Sequence, residues 1–241
     1  AHWCEKYRSA PALARTLMQP AMVVTFGFKS ARWLQVLLSA RRNIRGSIAG
    51  LPVQFGGPVG TAPADLRRAL ASKLALADRS PWHTDRTPML DLAHALGSTA
   101  AAVRKPAEDF VLMMAPEIGE IREGGVNRGG SSSMPHKRNP VTAVHVVANA
   151  RQAPGLTASL YDAATHTHER AAGAWHAEWT AMDRLLRSTE AATSNLARLV
   201  ADADLDIDRM AANAASADVP VKSAEGGSFI DEIMRARIHD P

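Results

Sequence analysis

The residues best suited to chemistry lie in a glycine-rich stretch at 119–140. Gly129 and Gly130 let backbone amides approach a ligand closely, because glycine adopts conformations that other residues disfavour. Three consecutive serine hydroxyls follow, and each can donate and accept hydrogen bonds. The stretch then supplies positive charge and a side-chain amide from His136, Lys137, Arg138 and Asn139. Together these groups suit the binding of a carboxylate or a phosphate.

Composition alone leaves a second interpretation of this stretch open, a flexible glycine- and serine-rich linker with a basic end. The spacing Gly-x-x-x-x-Gly-Lys-Ser/Thr is absent, so the stretch is not a P-loop. A loop of about twenty residues is longer than a compact helical protein needs, and such loops are usually functional or disordered.

The chain of 241 residues is long enough for one or two domains with a sizeable core. Its 46% hydrophobic and 22% charged residues are typical of a globular protein. Cys4 is the single cysteine, which excludes an intrachain disulfide and a multi-cysteine metal site. Polar residues interrupt every apolar run before it reaches the length of a bilayer, and the first residues lack an apolar signal core. We therefore expect a cytoplasmic protein that does not bind membranes.

The charge balance gives little support for nucleic acid as a partner. The chain carries 28 Lys+Arg and 24 Asp+Glu, a formal net charge of +4. A nucleic-acid interface requires clustered basic residues, often with aromatic residues for stacking. The densest basic group is Arg41, Arg42 and Arg45, whose spacing is typical of a solvated helix face. A modest positive excess also suits a small polyanionic substrate.

Helical patterns dominate the rest of the sequence. Hydrophobic periodicity predicts helices at 25–48, at 63–77, at 88–115, after Pro140 and at 175–200. We expect Pro106 to kink or interrupt the third helix and Pro154 to disturb the fourth. Trp175 and Trp179 are expected in the core. Because no alternating strand pattern is evident, the sequence predicts an all-α protein of long helices packed in an elongated bundle.

The string GSSSMPHKRNP at 130–140 resembles the signature loop of the fumarase/aspartase superfamily, Gly-Ser-Ser-x-Met-Pro-x-Lys-x-Asn-Pro, at every defined position. The resemblance implies an all-α, long-helix bundle of the fumarase/aspartase type, which forms the central bundle of a homotetramer. It also implies active sites that are shared between subunits.

A second string, RTLMQPA at 15–21 followed by TFG at 25–27, resembles the second active-site region of the superfamily. Leu17 stands where many lyases of the superfamily have a histidine. This leucine, together with PWHTDR at 81–86 and the segment 168–179, resembles the family of bacterial 3-carboxy-cis,cis-muconate cycloisomerases more than the adenylosuccinate lyases. The resemblance covers roughly residues 5–213.

The resemblance implies an isomerase that closes 3-carboxy-cis,cis-muconate to 4-carboxymuconolactone in protocatechuate catabolism, part of the β-ketoadipate pathway. One carboxylate adds across a double bond while a proton is delivered beside another carboxylate. Donors and cations aimed at the charge of the enolate-like state would lower the barrier. The step involves no redox change, so the resemblance implies no cofactor: no nicotinamide, no flavin and no metal. The implied ligand is a small polycarboxylate.

The resemblance also implies roles for individual residues. Ser131 would transfer the proton, and Lys137 and Asn139 would stabilise the enolate. The rest of the anion site would be formed by Ser132, Ser133, Met134 and His136. Thr16 and Gln19 would contact substrate from another subunit.

Further candidates each keep a structural alternative. Arg15 and Arg86 are candidates for substrate carboxylates, with a surface position or an internal salt bridge as the alternative. His83 is a candidate acid, base or substrate donor, with a packing or helix-capping role as the alternative. Four residues near the fifth helix either participate directly or orient and pair with neighbours: His168, Glu169, His176 and Glu178.

We expect residues 1–214 to form a central helical-bundle domain that carries the second and third active-site regions. Residues 215–241 are expected to form an atypical C-terminal segment, and the family's N-terminal domain is expected to be absent. Two other functions stay open. One is an adenylosuccinate- or argininosuccinate-type lyase that eliminates fumarate, and the other is a catalytically incompetent fragment of the family.

Overall fold

The structure of the chain, a computed structural model, describes residues 1–125, 129–222 and 225–238. Its helices are α1 (His2–Lys6), α2 (Phe26–Ala49), α3 (Ala64–Leu74), α4 (Thr87–Met113), α5 (Val141–Ala150), α6 (Ala153–Ala163), α7 (Ala174–Asp202), α8 (Ile207–Ala215) and α9 (Glu225–Ile238). Its strands are β1 (Pro11–Thr16), β2 (Gln19–Thr25), β3 (Ile121–Glu123) and β4 (Ala203–Leu205). Helices dominate, so the prediction of an all-α fold class is confirmed.

The long helices follow the hydrophobic patterns, since α2, α4 and α7 begin and end within a few residues of the predicted helices. Of the two effects expected at Pro106, an interruption is wrong, because α4 continues to Met113 with Pro106 fully buried, and a kink stays a prediction. Pro154 lies in the first turn of α6, where its missing N–H costs nothing, so the fourth predicted helix is two helices.

The sequence predicts no strands, and this prediction is wrong at two places. β1 and β2 form an antiparallel hairpin in which Thr16 lies opposite Gln19. β3 pairs with β4, where Ile121 lies opposite Leu205. The first hairpin lacks a recognisable turn signal, because its two-residue turn is Leu17-Met18 and not a glycine- or asparagine-containing pair.

The chain divides into two compact units, and the first consists of Ala1–Ser39, Val103–Val147 and the part from Ser194 onward. An aromatic cluster lies at its centre. The ring centroids of Trp3 and Phe26 are 5.8 Å apart, and those of Trp33 and Phe110 are 5.7 Å apart. Aromatic pairs at these separations add stabilisation beyond their buried area, so the cluster holds α1, α2 and α4 together.

The C-terminal part of the first unit is attached to β2 and α2. The Val23 backbone N–H donates to the Pro220 carbonyl, and the Lys222 N–H donates to the Val23 carbonyl, both at 2.8 Å. Phe229 of α9 packs on Phe28 of α2 with ring centroids 5.2 Å apart. The domain boundary predicted at residue 214 stays a prediction.

The second unit consists of Ala40–Ala102 and Ala148–Thr193. α4 and α6 approach each other closely in this unit, because a Cβ on Gly97 would lie 3.0 Å from the Thr157 hydroxyl. Trp82 is buried, and its Nε1 donates to the Val53 carbonyl at 3.0 Å. Within the described ranges, no helix combines the length and the apolar character needed to cross a membrane.

The hydrophobic stripe of α7 is only partly covered in the single chain. Met182 is buried, whereas Trp179, expected in the core, is 52% exposed, and Leu186 is also exposed. The prediction for Trp179 is therefore wrong. A hydrophobic period identifies the face of a helix that is to be covered, but it does not say what covers that face.

Candidate active site

The serine-rich loop is closed at its base by Asn139 and Gly129. The Asn139 backbone N–H and side-chain amide both donate to the Gly129 carbonyl, at 2.7 and 3.0 Å. Gly129 has a φ of +69°, and a Cβ there would lie 2.3 Å from the Asn139 carbonyl oxygen. Only glycine therefore fits at this position. These bonds join the two ends of the loop and leave the residues between them to face outward.

Most side chains of the loop are exposed. The exposed members among the predicted site residues are Ser132, Ser133, Met134, His136 and Lys137, whereas Ser131 and Asn139 are half-buried. The Ser131 hydroxyl accepts a hydrogen bond from the Met134 backbone N–H at 3.2 Å. It also lies 3.4 Å from the Ser133 hydroxyl. The loop thus presents hydroxyls and an ammonium group on one short exposed turn.

Glu123 anchors the start of α5, which follows the loop. Its carboxylate accepts the backbone N–H groups of Thr142 at 3.0 Å and of Ala143 at 2.8 Å. These amides lie in the first turn of α5, where N–H groups lack partners within the helix and negative charge is favoured. Sequence reasoning missed Glu123 because it lies 19 residues from Thr142, outside the local spacing of capping motifs.

Arg15 lies on β1, and its side chain reaches a buried carboxylate of the first unit. Its Nη2 and Nη1 donate to the two carboxylate oxygens of Glu120, at 3.1 and 3.4 Å. Glu120 is fully buried and also accepts from Asn213 Nδ2 at 2.9 Å. A buried carboxylate requires such donors. Arg15 therefore has an internal partner, and its contact with a substrate carboxylate stays a prediction.

Thr16 and Gln19 lie on the other side of the hairpin from Arg15. They are directly opposite each other, so their exposed side chains share one face. Because strand residues alternate between faces, Thr16 points away from its neighbour Arg15. The turn between them, Leu17-Met18, has φ values of 48° and 67°, and Leu17 is 97% exposed. The tip therefore presents the predicted substrate-binding pair to solvent.

Arg86 lies in the second unit and is buried. Its Nε donates to Glu178 Oε2 at 2.8 Å, and its Nη2 donates to the other oxygen of the same carboxylate. The guanidinium carbon lies 5.0 Å from the centroid of the Trp82 ring. This arrangement is an internal salt bridge, the alternative stated for Arg86 from the sequence. Its role in binding substrate stays a prediction.

His83 packs against the glycine-rich connection between α2 and α3. A Cβ on Gly60 would lie 2.9 Å from the His83 Cε1 atom, so the backbone approaches the ring closely. The buried Nδ1 atom has no hydrogen-bond partner in the part of the chain that the structure describes. Close packing by glycine holds the ring, and its acid or base role stays a prediction.

The remaining candidates lie at the start of α7 or just before it. Glu178 pairs with Arg86, one of the two roles expected of it. His168 and Glu169 are exposed, and the ring of His176 lies 5.0 Å from that of Trp179.

The candidate residues thus fall into two sets. The loop and the hairpin lie in the first unit, and His83 and Arg86 lie in the second. The loop can bind an anion and stabilise developing negative charge, because its hydroxyl, ammonium and N–H donors are close together in the chain. Among the described residues, no group of three or more His, Cys, Asp or Glu side chains is placed to hold a metal ion.

Comparison with known proteins identifies relatives of this chain. Residues 3–155 match the model of a lyase family. The chain is 40% identical over 223 residues to nitrosuccinate lyase of Streptomyces davaonensis, which covers 86% of this chain and 47% of that protein. It is 39% identical over 216 residues to 3-carboxy-cis,cis-muconate cycloisomerase of Bradyrhizobium diazoefficiens, with 86% and 48% covered. The chain therefore spans about half the length of these curated relatives.

A solved structure supports the fold assignment. The crystal structure of 3-carboxy-cis,cis-muconate lactonizing enzyme from Pseudomonas putida aligns with a TM-score of 0.82 and 29% sequence identity. The alignment covers 100% of this chain and 59% of that one. The helical fold, the complete signature loop and the family match agree. The chain belongs to this lyase family, within the fumarase/aspartase superfamily.

Proposed function

We propose that the chain is part of a cycloisomerase that closes 3-carboxy-cis,cis-muconate to 4-carboxymuconolactone. The observation that carries the proposal is the complete signature loop, joined at its base by Asn139 and Gly129 and carrying a half-buried Ser131 and an exposed Lys137. The 39% identity to a 3-carboxy-cis,cis-muconate cycloisomerase supports the choice of substrate.

In the proposed reaction, one substrate carboxylate adds to a carbon of the double bond. The electron pair of that bond moves toward a second carboxylate, which becomes enolate-like. The Lys137 ammonium and the donors of Asn139 and Ser132 stabilise this charge, and preorganised donors of this kind are usually the largest catalytic contribution.

Ser131 then delivers a proton to the carbon beside the enolate. The resulting alkoxide is stabilised by the Met134 backbone N–H, which already donates to the Ser131 hydroxyl oxygen at 3.2 Å. Solvent returns the proton afterwards. A serine hydroxyl transfers protons at neutral pH only when such groups stabilise its anion, so this contact supports the role.

We propose further that other subunits complete the site in a homotetramer. The loop, the hairpin tip at Leu17 and the Trp179 face of α7 are all exposed in the single chain, and exposed apolar groups of this size favour association. Thr16 and Gln19 would then reach a loop of another copy. Light scattering on the purified protein is expected to give four times the mass of one subunit.

One alternative function has specific support. The 40% identity to nitrosuccinate lyase favours an elimination reaction, for which the same loop would serve in the reverse direction, with Ser131 as the base. An adenylosuccinate-type elimination of fumarate belongs to the same class. Because the chain spans about half of its relatives, a fragment without activity is the remaining alternative.

A side-by-side assay separates these functions. The full encoded polypeptide is offered 3-carboxy-cis,cis-muconate, nitrosuccinate and adenylosuccinate, and the loss of the conjugated dienoate or the gain of product is followed by absorbance. We expect turnover of the muconate alone. Turnover of nitrosuccinate or adenylosuccinate instead would favour elimination, and turnover of none by an assembled protein would favour the inactive fragment.

A further inference from the structure

A cavity of about 480 Å³ in the first unit is not explained by the proposed lactonisation site. It is bounded by the β1–β2 hairpin, α2 and α4. Its described lining includes no residue of the 129–140 loop. The cavity therefore requires an explanation of its own.

The walls of the cavity are mostly apolar. The apolar side chains that line it include Val24, Phe28, Trp33, Leu112, Met113 and Ile118. Cavities of a few hundred Å³ with apolar walls and a few polar groups are typical of small-molecule sites. The wall chemistry suits an aromatic ring or a short hydrocarbon chain.

Positive charge exceeds negative charge around the cavity. Its lining contains four cationic side chains and one carboxylate: Arg15, Lys29, Arg32, Lys105 and Asp109. Glu120 pairs with Arg15, and Asp109 pairs with Lys105. Asp109 also accepts a hydrogen bond from Trp33 Nε1 at 2.6 Å. Glu120 and Asp109 are therefore already paired with other residues. The excess of positive charge around the cavity comes from Lys29 and Arg32.

Lys29 is the cation held inside the cavity. Its Nζ donates to the Leu13 carbonyl at 3.2 Å, which uses one of the three N–H groups of the ammonium. No carboxylate lies within salt-bridge distance of Nζ in the described part of the chain. Burial lowers the pKa of this ammonium, while the more distant Glu120 carboxylate acts in the opposite direction. An anion placed beside Nζ would relieve this cost.

Arg32 is placed near the same cavity but is held by neighbours. Its guanidinium carbon lies 5.0 Å from the Phe229 ring centroid and 5.6 Å from that of Phe28, and its Nη1 donates to Gln35 Oε1 at 3.4 Å. Stacking of this kind fixes the guanidinium group over aromatic faces. Arg32 is exposed and restrained by this stacking, whereas Lys29 is half-buried, so Lys29 is the cation placed to hold an anion inside the cavity.

We propose that this cavity binds an amphipathic monocarboxylate, with its carboxylate on the Lys29 ammonium and its ring or chain against Trp33 and Phe28. One carboxylate satisfies the remaining donors of Lys29, and the walls cover an apolar body. The cavity shares Arg15 and the Leu17-Met18 turn with the hairpin but includes no described residue of the 129–140 loop, so benzoate binding is measured without reference to the proposed isomerase activity.

Binding is tested with three probes: benzoate, its neutral analogue benzamide, and acetate. Methionine methyl groups labelled with ¹³C report the location, because Met18 and Met113 line the cavity and Met134 lies in the loop. Benzoate is expected to shift the Met113 and Met18 signals and to bind at least about tenfold more tightly than benzamide or acetate. A benzoate affinity equal to that of benzamide or of acetate, or shifts confined to Met134, would overturn the proposal.

Variants test the role of Lys29 directly. Lys29→Met keeps most of the length of the side chain and removes the charge, and we expect a loss of benzoate affinity of at least about tenfold. Lys73→Met, on the exposed face of α3, is the matched control and should bind benzoate as the unaltered chain does.

A second variant covers the case in which Lys29→Met does not fold. Leu112, 40% exposed at the edge of the cavity, is replaced by tryptophan to fill the space while every charge is kept. The Leu112→Trp variant is expected to lose benzoate binding to a similar extent. Unchanged affinity in a folded Lys29→Met or Leu112→Trp protein contradicts the proposal.

Discussion

Lys137 in the signature loop and Arg86 in the PWHTDR segment are both cations in family motifs, yet the fold treats them in opposite ways. Lys137 is exposed on a loop. Arg86 is 7% exposed, with Nε and Nη2 donating to Glu178 and the guanidinium over Trp82. The first is available to an external anion, whereas the second is already bound to an internal one.

The difference shows that residue type alone does not tell whether a lysine or arginine in a family motif binds substrate. What matters is whether its N–H groups are already bound to an internal carboxylate. A buried arginine with a bidentate carboxylate contributes to the structure around it, because separating the pair would leave an uncompensated charge in the interior. An exposed lysine beside serine hydroxyls loses less when it turns toward a substrate. Arg15 resembles Arg86 in that it is paired with a buried carboxylate, that of Glu120.

The largest effect is expected from Ser131→Ala in the loop. Loss of the proton donor should lower kcat by roughly 10²–10⁴-fold, the usual contribution of general acid or base catalysis. The melting temperature should not change, because among the described residues the hydrogen-bond contacts of this hydroxyl stay within its own loop. Steady-state kinetics and thermal melts check this, with Ser159→Ala on α6 as the exposed-serine control. Unchanged kcat would remove Ser131 from the mechanism.

The next largest effect is expected from Arg86→Met in the second unit. Removing one member of a buried pair typically costs about 3–5 kcal/mol, so Tm should fall by roughly 10 °C. A second change, Glu178→Leu in the Arg86→Met background, should restore much of the stability. Arg187→Met removes an exposed pair with Asp183 on the same helix and should leave Tm unchanged. If Arg86→Met instead keeps Tm and loses turnover, Arg86 binds substrate.

The smallest effect is expected from Gly129→Ala at the loop base. Alanine there would require a left-handed φ and a clash with the Asn139 carbonyl, and we expect a cost of about 1–3 kcal/mol. Gly130→Ala is the matched control, since its Cβ would meet no atom within 4 Å. Thermal melts compare the two. Equal melting temperatures would mean that the base of the loop is not held as described.

Local patterns in the sequence predicted most of the helical architecture. The hydrophobic periods located α2, α4 and α7, because a helix that must cover one face repeats its apolar residues every three or four positions. The hairpin escaped prediction because its turn residues, Leu17 and Met18, adopt positive φ without the glycine or asparagine that usually marks such a turn.

The candidate site was predicted by residue type but not by arrangement. The loop residues form a consecutive string, so their proximity to one another follows from the chain itself. The partners Glu123, Glu120 and Glu178 were not assignable, because each meets its target from a distant part of the chain: Glu178 is 92 residues from Arg86, and Glu120 is 105 from Arg15.

The sequence by itself determined the family, the long helices and the set of donors in the signature loop, because those depend on neighbouring residues and short periods. Only the tertiary structure decided which cations are already paired, which face of α7 stays uncovered, and that Lys29 lies inside a cavity. These properties depend on long-range packing, and packing determines whether a charged group faces water, a carboxylate or an empty space.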